Sequence, residues 1–134
     1  MKRFLLIILT VAVTVSALAS LACAFTMSEK VVVANELIAI ARTPAGGFSA
    51  QERIDRINER LAYILGYEPL APRDIYTVRR GGSMAIIVGD RLLMTVTPND
   101  ARANNTTVSA LASVWLRQAR MAIPQARPTP GIPG

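Results

Sequence analysis

Apolar and polar positions alternate in two rhythms along this chain, and the tightest pattern lies between Met84 and Thr97. Two apolar runs there flank Gly89-Asp90, the two-residue spacing of a β-hairpin. Pairing across that turn sets Ile87 opposite Leu92 and Ala85 opposite Met94, with Val96 further along the same side, so one sheet face is continuously apolar. A face of that kind needs a cover. Helical rhythm supplies two candidates. Ser49-Ala50-Gln51-Glu52 is a capping box, in which the Ser49 hydroxyl and the Glu52 carboxylate each accept from the other residue's amide. Ile54, Ile57, Leu61 and Ile64 follow at spacings of three and four, with Glu52, Arg53, Asp55, Arg56, Glu59 and Arg60 read as a solvated charged face. Gly66 closes this helix. A second helix runs from Val108 to Ala122, with Val108, Leu111, Trp115 and Ala119 on one stripe, and Pro124 halts it.

Between these elements the punctuation is legible. Val31-Val32-Val33 and Leu37 to Ala41 read as two short strands about a turn containing Asn35, with a single bent strand as the alternative. Thr43-Pro44-Ala45-Gly46-Gly47 stops them. Its glycines leave room for a phosphate to approach, but no phosphate-binding pattern surrounds them and the segment reads as a loop. Pro69 and Pro72 make the Tyr67 to Arg73 connection irregular. Ile75 to Val78 is a strand, and Gly81-Gly82 turns it antiparallel onto Ser83 to Val88. After Thr97, Pro98 ends the hairpin, Asn99 is read as the cap of one helical turn, and Asn104 to Thr107 supplies turn and cap chemistry. The order is ββαβββα, an α+β domain with a small antiparallel sheet of four to five strands covered by two amphipathic helices.

Composition changes the picture at the N-terminus. Lys2 and Arg3 precede an uncharged, mostly apolar run ending in Ala22-Cys23-Ala24, the pattern of an export leader with its cleavage site. Residues 1–24 are therefore read as a signal peptide, 25–124 as one domain, and 125–134 as a flexible Pro/Gly-rich tail. An uncleaved anchor or a lipidated Cys23 would instead hold the domain at a membrane. Either way the expected location is extracytoplasmic, periplasmic or secreted. Cys23 is the sole cysteine of the 134 residues, so the mature domain must hold its core without a disulfide.

Charge and residue inventory narrow the function. The chain has no histidine, which removes the usual imidazole base, His-containing triads and His metal sites. Asp55 and Glu59 share a helix face and Asp90 sits in a turn, but no nucleophile, base and orienting group assemble around them. No catalytic residue, metal or cofactor is expected. The net charge is +6, with arginines interspersed among acids, a distribution that argues against a nucleic-acid footprint. Arg79, Arg80 and Arg91 are the candidate anion contacts, because they fall at related edges of one sheet; edge charge that discourages strand pairing accounts for them equally.

Gly47-Phe48-Ser49-Ala50-Gln51-Glu52-Arg53 ahead of an amphipathic helix, together with the run from Gly89 to Ala103, resembles the extracytoplasmic N-terminal region that precedes small-conductance mechanosensitive channel bodies in some bacteria. The resemblance covers Val31 to Ile123 and implies an envelope-facing accessory domain without a pore. The expected role is non-catalytic contact with an envelope or membrane protein, the alternative being arginine-dependent binding of anionic cell-wall polymer or lipid headgroups.

Overall fold

The computed structural model describes residues 30–66 and 70–126. The leader, the tail beyond Ala126 and the first part of the Tyr67 to Arg73 connection lie outside the described residues. Strands β1 (Lys30–Val33) and β2 (Glu36–Ile40) form one antiparallel sheet. Strands β3 (Ile75–Arg80), β4 (Ser83–Val88) and β5 (Arg91–Val96) form another, in that order. Helix α1 (Ala50–Leu65) precedes β3, and a short α2 (Pro98–Ala103) and a long α3 (Val108–Ala122) follow β5. The α+β class is as expected. The strands, however, divide between a two-stranded and a three-stranded sheet rather than joining in one, and α2 is a helix of its own.

The two outer hairpins share a geometry the sequence reading does not register. In each, a two-residue turn is followed by two regular pairs and then one extra residue. Val33 pairs Glu36, Val32 pairs Leu37, and the register then shifts so that Val31 pairs Ala39. Likewise Val88 pairs Arg91, Ile87 pairs Leu92, and the shift brings Ile86 opposite Met94. Ile87 and Leu92 thus face each other as expected, but Ala85 pairs Thr95, not Met94. The reason is the bulge. One extra residue lets two consecutive side chains turn inward, and Ile38 with Ala39, and Leu93 with Met94, are all buried in the core.

The turns differ. Ala34 and Asn35 both have positive φ, 49° and 65°, as a type I′ turn requires. Alanine in that conformation clashes with its own backbone at a cost of about 1 kcal/mol. Ala34→Gly should therefore stabilise the protein by about 0.5 kcal/mol after the entropic penalty of glycine is counted. Thermal unfolding checks this, and a destabilised variant would contradict the left-handed assignment.

Residues Ile75, Thr77 and Arg79 share a sheet face with Val88, Ile86 and Met84, their direct partners. Helix α3 packs on this sheet and on β2 through Leu111, Ala112, Trp115, Ala119 and Ala122, while α1 inserts Ile54, Ile57, Leu61 and Ile64 into the same core. Trp115, at 4% exposure, is core. Helix α1 opens with the expected capping box: the Ser49 amide donates to Glu52 Oε2 (2.8 Å) and the Glu52 amide to Ser49 Oγ (3.2 Å). Among the described residues no helix is long and apolar enough to cross a membrane.

Candidate functional site

The expected solvated face of α1 requires correction at its first turn. Arg53 is 8% exposed and Asp100, in α2, only 1%. The two form a bidentate pair, Nη1 to Oδ1 at 2.9 Å and Nη2 to Oδ2 at 2.8 Å. Arg53 follows the apolar stripe one step N-terminal of Ile57 at helical spacing, so the position faces inward and the guanidinium goes with it. Asp100 is placed by its own cap. Thr97, not Asn99, is the N-cap of α2, Pro98 is its first residue, and Asp100 completes the capping box. Thr-x-x-Asp after a strand is the sequence signal that identifies it.

The carboxylate is fully engaged. Oδ2 accepts from the Thr97 amide (2.9 Å) and hydroxyl (2.8 Å), and Oδ1 accepts from the Thr43 hydroxyl (2.7 Å). Burial alone would push the Asp100 pKa up, but the hydrogen bonds from Arg53, Thr43 and Thr97 outweigh it and hold the group below the ordinary carboxylate value. Arg53 also donates to the carbonyls of Thr43 and Thr95. One ion pair thereby joins the loop after β2, helix α1, strand β5 and helix α2.

Beside this pair a cleft of about 350 Å³ opens between α1 and β5. Arg53, Arg56 and Arg60 line it from the helix, one turn apart, Ser83, Leu92, Met94 and Thr95 line it from the sheet, and Thr97 lines it from the cap of α2. Ala45, Gly46 and Phe48 form its rim. Gly46 and Gly47 have φ of 62° and 82°, and the reciprocal bonds between Ala45 and Phe48 (3.0 and 3.1 Å) close a tight turn there. That turn sets the Phe48 ring under the Arg56 guanidinium, 4.1 Å from ring centre to Cζ. Arg60 donates to the Leu93 carbonyl at 3.3 Å. Arg53 and Arg60 thus satisfy outward carbonyls of β5, an edge strand, and block the addition of another strand there. Among the described residues, neither Arg56 nor Arg60 is in an ion pair.

The arginines singled out from the sequence are not assembled. Arg79 and Arg80 lie on opposite faces at the Gly81-Gly82 end of β3. Arg91 lies at the other end of the sheet, opposite Val88, about 16 Å of strand away. Its guanidinium stacks on Tyr63 at 4.4 Å and sits 3.7 Å from Asp90. None of the three lines the cleft: Arg80 is the direct strand partner of Ser83, which does, and Arg91 lines an adjoining groove with Arg60 and Leu92. Of the carboxylates considered, Asp55 accepts from Gln51 (2.9 Å) on an exposed face, and Glu59 and Asp90 line, with Tyr63 and Arg91, a groove that adjoins the cleft through Arg60 and Leu92. Among the described residues no group of three or more acidic, His or Cys side chains is placed to hold a metal ion.

The fold and cleft define a small α+β domain with a basic groove beside a sheet edge. Residues 30–126 match the family described as a domain of unknown function, DUF8459, and the chain belongs to that family. No curated protein and no solved structure matches it.

Proposed function

We propose that this protein is a non-catalytic binding domain of the bacterial envelope that engages its partner through an anionic group seated in the α1–β5 cleft. The supporting observation is that Arg53, Arg56 and Arg60 line the cleft with no carboxylate among its lining residues, that Arg53 is sealed against Asp100, and that neither Arg56 nor Arg60 is in an ion pair among the described residues. With Arg53 neutralised by Asp100, the lining keeps the guanidiniums of Arg56 and Arg60, and its partly apolar walls lower the local dielectric and strengthen attraction for an anion. The export-type leader supports the envelope setting.

Titration with poly-L-glutamate tests this. Binding should weaken at least tenfold between low salt and about 0.3 M salt, disappear in Arg56→Gln/Arg60→Gln, and persist in Arg79→Gln/Arg80→Gln. The reverse pattern would move the contact to the turn of β3. A second reading, contact with a protein, is favoured by the outer face of the three-stranded sheet, where Tyr76 is 41% and Val78 38% exposed on β3, whose outer edge pairs with no strand among the described residues. A photo-crosslinker at Val78 should then capture one reproducible envelope protein, and only scattered adducts would count against it.

A further inference from the structure

Resting on the cleft reading, we infer that the anionic group is a phosphate monoester whose phosphoryl oxygens lie between Arg56 and Arg60 and whose organic part lies on the apolar wall. Charge and geometry both favour it. Both terminal nitrogens of Arg53 are committed, to Asp100 and to the carbonyls of Thr43 and Thr95, so that guanidinium structures the site without facing a ligand. Two cations remain. Arg56 places its Cζ over the Phe48 ring and feels the charge of Glu52 one turn earlier, but its N–H donors are in no hydrogen bond or ion pair among the described residues. Arg60 uses one donor on the Leu93 carbonyl and retains the others.

These forks sit one helical turn apart, about 6 Å between Cβ atoms. A carboxylate has two oxygens and one charge, which a single fork saturates. A tetrahedral phosphoryl dianion offers three terminal oxygens and nearly two charges at pH 7, and so matches both forks at once. Phe48, Ile57, Leu92 and Met94 supply the rest of the lining. With about 350 Å³ the cleft has the size of a small-molecule site, so it accommodates more than an inorganic ion. The ester can be a soluble metabolite or a lipid headgroup, since the chemistry at the forks is the same.

Calorimetry on the purified protein with glycerol 3-phosphate, inorganic phosphate and acetate tests the assignment. Glycerol 3-phosphate should bind at least tenfold tighter than acetate and measurably tighter than inorganic phosphate. Arg56→Gln and Arg60→Gln should each weaken it at least tenfold, with unchanged far-UV circular dichroism showing that the variants stay folded. Leu92→Ala should abolish the advantage of the ester over inorganic phosphate. Equal affinity for acetate and glycerol 3-phosphate would overturn the phosphate assignment. If poly-L-glutamate binding still required both arginines, the cleft reading would survive that result; if it did not, both would fall. Co-sedimentation with phosphatidic acid vesicles, lost in the arginine variants, would support a lipid-borne phosphate. Binding of the soluble ester without co-sedimentation would support a free one.

Discussion

Asp100→Ala is expected to destabilise the protein by about 3–5 kcal/mol, a large part of the total stability of a domain this size. The loss comes less from the missing attraction than from what remains behind. Arg53, 8% exposed, would keep its charge in a dry site without a counter-ion, and the Thr97 amide and Thr43 hydroxyl would lose their acceptor. Urea denaturation measures the effect. Arg53→Leu should cost a similar amount, and the double variant less than the sum, because each single change removes the same pair. Strict additivity would show that the two side chains do not interact.

The same pair has a pH signature. The folded-state pKa of Asp100 lies below its unfolded value, so the unfolded chain takes up the proton first as pH falls. The stabilisation is complete above the unfolded carboxylate value, about 4, and drains away as pH drops through the lower folded value. Wild-type stability should therefore fall on the acid side of pH 4, and Asp100→Asn should flatten that slope. An unchanged slope would place the acid sensitivity elsewhere.

What the sequence discloses and what it hides follow from the range of the interactions. The capping box at Ser49, the stripe from Ile54 to Ile64 and the helix from Val108 to Ala122 rest on spacings within one or two turns, and each is observed at its expected place. The bulges are different. Whether Leu93 turns inward depends on the core already assembled by α1 and α3, and alternation alone puts Met94 opposite the wrong residue. The cleft was hidden for the same reason. Arg53 and Asp100 are 47 residues apart, and only tertiary contact distinguishes them from surface charges. Arg79, Arg80 and Arg91 stand out in the sequence by their place at related edges of one sheet, whereas Arg56 and Arg60 are concealed in an ordinary run of alternating charge.

Trp115→Ala should remove about 3–5 kcal/mol of stability while leaving anion binding by the folded fraction intact. The indole is 4% exposed on the inner side of α3 and shares the core with Ile75, Ile86 and Ile38. Three of its neighbours on that face, Ala112, Ala119 and Ala122, are small and Leu111 is itself packed in the core, so the helix can fill only part of the void. Trp115→Phe should cost less, since a ring still occupies part of the volume. Val114, next along the helix and 38% exposed, provides the contrast: Val114→Ala should change stability by no more than about 0.5 kcal/mol. Circular dichroism follows unfolding for the tryptophan variant, and calorimetry in native buffer follows ligand affinity. A tryptophan that served as a stacking platform would give the opposite result, with lost affinity and a near-normal unfolding midpoint. Because Trp115 is absent from the lining of the α1–β5 cleft, stability is the property that should respond.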